Sequence, residues 1–194
     1  SLKAERPHKW LHIFEDRYKE MIGHVLETGS DFGVVLAADE GISVIGCTAS
    51  IQEVTKRYPD GRLDIVTVGN RRFRIQSVDS GASYLRGEVE FYEDEDPVAP
   101  PNLSERLTTL ARTLWPEQTF DASAPELSFR VAADISDLRL RQQLLGSRNE
   151  ADRIRRLLAF LPGYADRLEK IANLREVAPK NGHSHLAVPL DDAS

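Results

Sequence analysis

The chain is poor in several things at once, and each shortage excludes something. There is one cysteine, Cys47, in 194 residues. An intramolecular disulfide framework and a multi-cysteine zinc site are therefore ruled out. No apolar run approaches the ~18–20 residues a membrane span requires. No basic n-region followed by an apolar h-region opens the sequence, so no export signal is expected and a cytoplasmic protein is. The catalytic signatures are missing too. There is no G-x-x-x-x-G-K-[ST] phosphate loop, no G-x-G-x-x-G, no G-x-S-x-G and no H-E-x-x-H. A cofactor or metal is therefore not expected.

What is present is an ordinary globular composition, 41% hydrophobic and 29% charged, with enough apolar surface for a real core. The charge is unevenly placed. Residues 1–97 carry 12 Lys/Arg against 18 Asp/Glu, so the whole net charge of −6 lies in the first half. Such a field repels a phosphate backbone and disfavours nucleic acid as a partner. Arg71, Arg72 and Arg74 form the one basic cluster; cross-strand pairing with Glu88 or Glu90 accounts for it better than an RNA surface does.

The first half reads as strands after one short helix. Tyr18, Met21, Ile22, Val25 and Leu26 fall at helical spacing and Gly29 suits a C-terminal stop. Short β-branched runs follow, around Val34 and from Ile42 to Val54. Tyr58-Pro59-Asp60-Gly61 is a turn signal, because Pro presets φ and Gly accepts a positive one. Residues 47–58 and 62–68 thus form a long hairpin. Gly69-Asn70 interrupts the pattern before Arg72 to Ile75, and Tyr84 to Tyr92 repeats the period-two alternation. Strands joined by short turns point to a closed or half-closed antiparallel barrel. Cys47, in an apolar strand, reads as a small buried hydrophobe.

Residues 93–101 are acidic and proline-rich, the composition of a solvated connector. Three cap-and-carboxylate pairs then mark helix starts: Asn102 with Glu105, Ser123 with Glu126, and Ser147 with Glu150. Gly146 reads as a helix stop and Pro162-Gly163 as a break. The tail contains His183 and His185, read as a solvated pair. The organisation is a β unit at 11–92, a connector at 93–101, helices at 102–176 and a flexible tail at 177–194.

Several segments, in order, carry a resemblance. Leu11-His12-Ile13-Phe14-Glu15-Asp16-Arg17-Tyr18-Lys19-Glu20-Met21 resembles the L-H-I-F-E-x-R-Y-x-x-M signature of the Lon protease N-terminal, substrate-binding domain. Tyr58-Pro59-Asp60-Gly61-Arg62, Gly69-Asn70-Arg71-Arg72-Phe73-Arg74-Ile75 and Tyr84-Leu85-Arg86-Gly87-Glu88-Val89 continue it. The family's opening P-L-F-P-L strand has no counterpart in residues 1–10, and its ATPase and protease modules are absent from the 194 residues. The match is to the stand-alone bacterial type. The resemblance implies an α+β protein: a PUA-like antiparallel β-barrel followed by a C-terminal helical bundle. It implies a non-enzymatic module that binds unfolded or tagged polypeptide, or a partner protein, as an adaptor in proteolysis. An RNA-binding PUA-like module is the alternative. From the residues themselves, the strand-to-helix junction Phe14, Glu15, Asp16, Arg17 is the candidate protein-binding surface: an aromatic ring with charges of both signs at a helix start.

Overall fold

The computed structural model describes residues 8–38 and 41–177. Of the tail expected at 177–194, Val177 ends a helix and residues 178–194, with His183 and His185, lie outside the described residues, as do residues 1–7.

Among the described residues, five strands form one antiparallel sheet: β1 (His8–Ile13), β2 (Phe32–Ala38), β3 (Gly41–Arg57), β4 (Leu63–Asp79) and β5 (Arg86–Phe91). Helix α1 (Asp16–Thr28) separates β1 from β2. It buries Ile22 and Val25 and ends at Gly29, whose φ of 67° is the left-handed cap the sequence signals. The β3–β4 hairpin turns at Tyr58 to Gly61, where Gly61 N–H donates to Tyr58 O at 3.0 Å and Gly61 holds φ 84°.

Three expectations for the sheet are corrected. His8–Ile13 is a strand, paired with β4 from His8↔Val68 to Ile13↔Leu63. Its alternation hides it, because only Leu11 and Ile13 turn into the core while Trp10 and His12 face outward. Gly69-Asn70 does not interrupt anything: β4 runs straight through, and the irregularity is a register shift opposite Cys47 and Ala49. Lastly, the sheet is not closed into a barrel. Its order is β1-β4-β3-β2, with β5 also on β4. β1 and β5 dock end to end along the same edge of the long strand β4, so both are consumed there and none bridges to β2.

Beyond the sheet lie α2 (Pro101–Leu114), α3 (Leu127–Ala132), α4 (Leu138–Gly146) and α5 (Glu150–Val177). The boundary signals misfire here for physical reasons. α2 starts on the Pro100 carbonyl, which accepts from Leu103 N–H at 3.0 Å, and not on Asn102. Ser123 sits in a turn on Asp121 and caps nothing, since α3 begins only at Leu127. α5 is capped by Asn149, whose Oδ1 accepts from Asp152 N–H at 3.0 Å, while Glu150 is drawn inward by Ser128 and Arg153. Gly146 is the last residue of α4; a Cβ there would meet Ile45 Cδ1 at 3.3 Å, so its smallness serves the approach of α4 to β3. Pro162 does not break α5, because Ile154, Leu157 and Leu161 bury one face and Phe160 stacks on Tyr164 across the proline.

Two apolar clusters result. One holds α1 against the sheet through Ile13, Ile22, Phe32 and Ile65; the other joins α2–α5 through Leu107, Val131, Leu144 and Leu157. Between them lies a polar clasp, to which the segment 93–101 contributes Asp94; that segment is otherwise exposed, apart from the half-buried Ala99. Asp94 is gripped by Arg72 and Arg153. Arg72 also donates to the carbonyls of Leu145 and Ser147, at 3.2 and 2.6 Å. Arg153, 0% exposed, is further held by Glu150 and Ser128 and lies over the Phe129 ring. A buried charge needs partners for every donor, and Asp94 joins Glu150, Ser128 and the Ser147 carbonyl in supplying them.

Candidate functional site

Because the sheet stays open, its concave side forms a cleft of about 510 Å³. The floor is β4: Phe73, Ile75 and Val78 turn toward it. Phe73 is 2% exposed because Gly33 and Gly46 leave room for its ring; a Cβ on Gly46 would stand 2.6 Å from Phe73 Cζ. One wall is β2, through Gly33 and Val35, and the opposite wall is β5, through Val89 and Phe91. Met21 and Val25 of α1, with Leu85 from the loop before β5, also line it. Ser83 in that loop donates to Glu20 Oε2 at 2.6 Å and so ties the loop to α1.

Two properties matter chemically. Ile42, Val78, Leu85, Val89 and Phe91 are apolar and remain exposed, a grouping that marks a contact surface. Among the described residues, β2 pairs only with β3 and β5 only with β4, so both walls present an unpaired strand edge. Such an edge offers alternating N–H and C=O groups to an added strand.

The junction expected to bind protein is displayed as the sequence suggests. Phe14 is 59% exposed and stacks on His12 at 6.0 Å between ring centroids. Arg17 pairs with Glu15 at 2.8 Å and lies over the Tyr18 ring at 4.6 Å; Asp16 pairs with Lys19 at 2.8 Å. Glu15 occupies the N-cap of α1 and its carbonyl accepts from Tyr18 and Lys19 N–H, but its side chain caps nothing, because Arg17 takes its carboxylate. The Lys19 hydrogen bond holds the Asp16 carboxyl below its ordinary range. The exposed aromatic and polar surface continues past these four residues. Trp10, 69% exposed, lies two positions before His12 on the same outer face of β1. His12 Nδ1 meets Asp64 at 2.5 Å and its ring abuts Tyr58 edge-on. That hydrogen bond, with a second from Tyr58, depresses the Asp64 carboxyl.

Two arginines of the basic cluster, Arg71 and Arg72, pair with residues other than those expected. Arg71 faces Glu93 at 3.8 Å and covers the Phe91 ring, and Arg72 belongs to the clasp. Arg74 stands opposite Glu90 in the register, but Gln76 takes that carboxylate and Ser77 takes Glu88. Cys47 is half-buried, its Sγ 3.3 Å from Thr48 O. No group of three or more His, Cys, Asp or Glu is arranged to hold a metal among the described residues. No helix among them is long and apolar enough to cross a membrane.

The cleft was not anticipated from sequence. Its one signal is that Gly87, Val89 and Phe91 alternate toward one side of a strand that has no partner beyond it.

An α+β chain with an apolar trough between two open strand edges is built as a binding domain. The family model described as "ATP-dependent protease La (LON) substrate-binding domain" matches residues 8–162, and the chain belongs to that family. Among solved structures, a Lon N-terminal domain protein from Xanthomonas campestris is similar at 29% identity and TM-score 0.63, covering 79% of this chain and 89% of that one. The N-terminal domain of the Mycobacterium avium complex Lon protease shares the fold at 19% identity and TM-score 0.61, covering 81% and 91%. The family's protease module is not seen in this chain.

Proposed function

We propose that this is a non-catalytic polypeptide-binding module that acts as an adaptor in proteolysis, seating an extended apolar stretch of an unfolded or tagged protein in the cleft between β2 and β5. The observation that carries the reading is the cleft itself. At about 510 Å³ it falls in the range of ligand sites. It joins apolar lining to free backbone edges, the two things an unfolded segment can satisfy together. Family membership supports the binding role. The same reading treats residues 11–92 as a PUA-like unit, 102–176 as a helical bundle bracing it, and the cytoplasm as the place of action. Phe14, Glu15, Asp16 and Arg17 act as a second contact, extended by Trp10 and His12.

The test is fluorescence anisotropy of a labelled, permanently unfolded polypeptide against the purified chain and its Val89→Asp variant. Val89 is partly exposed, so the variant is expected to fold, which an unchanged circular-dichroism melt checks. Affinity is expected to fall about tenfold or more, since a charge in an apolar contact costs over ~1.4 kcal/mol. Unchanged affinity removes the cleft from the function. The chain is expected to show no turnover of ATP or casein.

A further inference from the structure

We infer that the cleft selects among apolar segments by charge, favouring those flanked by lysine or arginine over those flanked by aspartate or glutamate; this rests on the cleft being the polypeptide site. Elsewhere in the described structure, carboxylates are repeatedly neutralised: Glu15 by Arg17, Asp60 by Arg62, Asp94 by Arg72 and Arg153, Glu95 by Arg148. Around the cleft the pattern is different. Asp31, on its rim, accepts from Asn70 Nδ2 at 2.9 Å. Glu20 accepts from Ser83 at 2.6 Å, beside the lining residues Tyr84 and Leu85. Glu88 and Glu90 flank Val89 on the outer side of β5 and accept from Ser77 and Gln76. All four carboxylates are held in place by neutral donors, which do not cancel their charge.

The cations nearby do not reverse the sign. Arg86 lines the cleft but is bound to Asp79 at 3.2 Å, and Arg71, over Phe91, faces Glu93. Setting Arg74 against Glu90, its register partner, still leaves Glu20, Asp31 and Glu88. A strand's breadth of ~5 Å separates Glu88 from the trough, well inside a Debye length of ~8 Å at physiological salt. A peptide seated between β2 and β5 therefore lies in a negative field.

The experiment uses three labelled peptides with one apolar core and flanks of Lys, Ser or Glu, titrated against the full chain. Ionic strengths of about 0.01 M and about 1 M bracket Debye lengths of roughly 30 and roughly 3 Å. At low salt the Lys-flanked peptide is expected to bind on the order of tenfold more tightly than the Ser-flanked one, and the Glu-flanked one more weakly still. The spread should collapse at high salt. It should also collapse at low salt in the combined Glu20→Gln, Asp31→Asn, Glu88→Gln variant, whose amides keep the hydrogen bonds and remove the charges. One common affinity for all three peptides at low salt overturns the charge preference alone. A Lys preference that survives in the variant assigns it to other residues and also overturns it. Failure of all three to bind sinks the cleft as the polypeptide site, and the preference with it.

Discussion

Asp94 and Arg153, 59 positions apart in the chain, meet as a two-point pair: Nη1 donates to Oδ1 at 2.8 Å while Nη2 bonds Oδ2. Arg72 reaches the same carboxylate from β4, so one acidic residue of the segment 93–101 joins the sheet to α5. The two apolar clusters are thus linked through charge. Breaking a buried pair from one side costs about 3–5 kcal/mol because the surviving charge stays buried. Asp94→Asn is expected to lower Tm by roughly 6–20 °C at ~2–4 °C per kcal/mol. A thermal melt with Tm unchanged removes the clasp from the stability of the fold.

The same pair sets an acid limit. Burial pushes the Asp94 carboxyl up, but the hydrogen bonds and charges of Arg153 and Arg72 outweigh it and hold it below the ordinary range. A group depressed in the folded state stabilises fully above its unfolded value of ~3.9 and loses that contribution as pH falls through the folded value. Tm should therefore be insensitive to this group above about pH 5 and decline below about pH 4. Asp94→Asn should show a shallower acid decline than the parent; parallel curves would mean other carboxylates govern it.

Gly46 and Gly23 should respond to alanine with opposite signs. A Cβ at 46 meets Phe73 Cζ at 2.6 Å and the Val34 carbonyl at 2.6 Å, whereas one at 23 finds nothing within 4 Å. Gly46→Ala should destabilise by about 1–3 kcal/mol through overpacking at the cleft floor. Gly23→Ala, inside α1, should stabilise by roughly 0.5–1 kcal/mol. Denaturant midpoints of the two variants decide it.

Much of this fold is legible locally. α1 announces itself through Ile22, Val25 and Gly29, and the β3–β4 hairpin through Pro59-Asp60-Gly61, because helix periodicity and turn chemistry act within a few residues. What sequence misses depends on distant partners. Ser147 and Glu150 have the spacing of a cap, but Glu150 has better partners in Ser128 and Arg153. Pro162 breaks isolated helices, yet packing of Leu157 and Leu161 carries α5 past it. The junction at Phe14 is visible as a motif; the cleft is not, because it exists only where β5 fails to reach β2.

Phe14 offers a sharper probe of the junction than reversing its charges. Exchanging the signs of Asp16 and Arg17 would set like charges against Lys19 and Glu15, disturbing α1 itself. Phe14→Ser removes an exposed ring, and such surface changes stay within about ±0.5 kcal/mol. Stability should hold while anisotropy reports weaker capture of unfolded polypeptide; capture at parental affinity takes the junction out of the binding surface.

The segment 93–101 should resist proteolysis, although its composition reads as a cleavable linker. Glu93 and Glu95 have exposed side chains, but the backbone around them is tied down. Glu95 N–H donates to Arg148 O at 2.9 Å, Arg148 Nε donates to Glu93 O at 3.0 Å, and Glu150 N–H donates to Asp96 O at 2.9 Å. A protease needs an extended segment free of such bonds, so cutting requires local opening and follows the population of the open form. A glutamate-specific protease should cut slowly after Glu93 and Glu95 in the parent chain. In Asp94→Asn the clasp is weakened by about 3–5 kcal/mol, which corresponds to cutting on the order of 10²-fold faster or more at these two sites. Equal rates in the two proteins would mean that the segment opens without releasing Asp94, and that the clasp does not hold it.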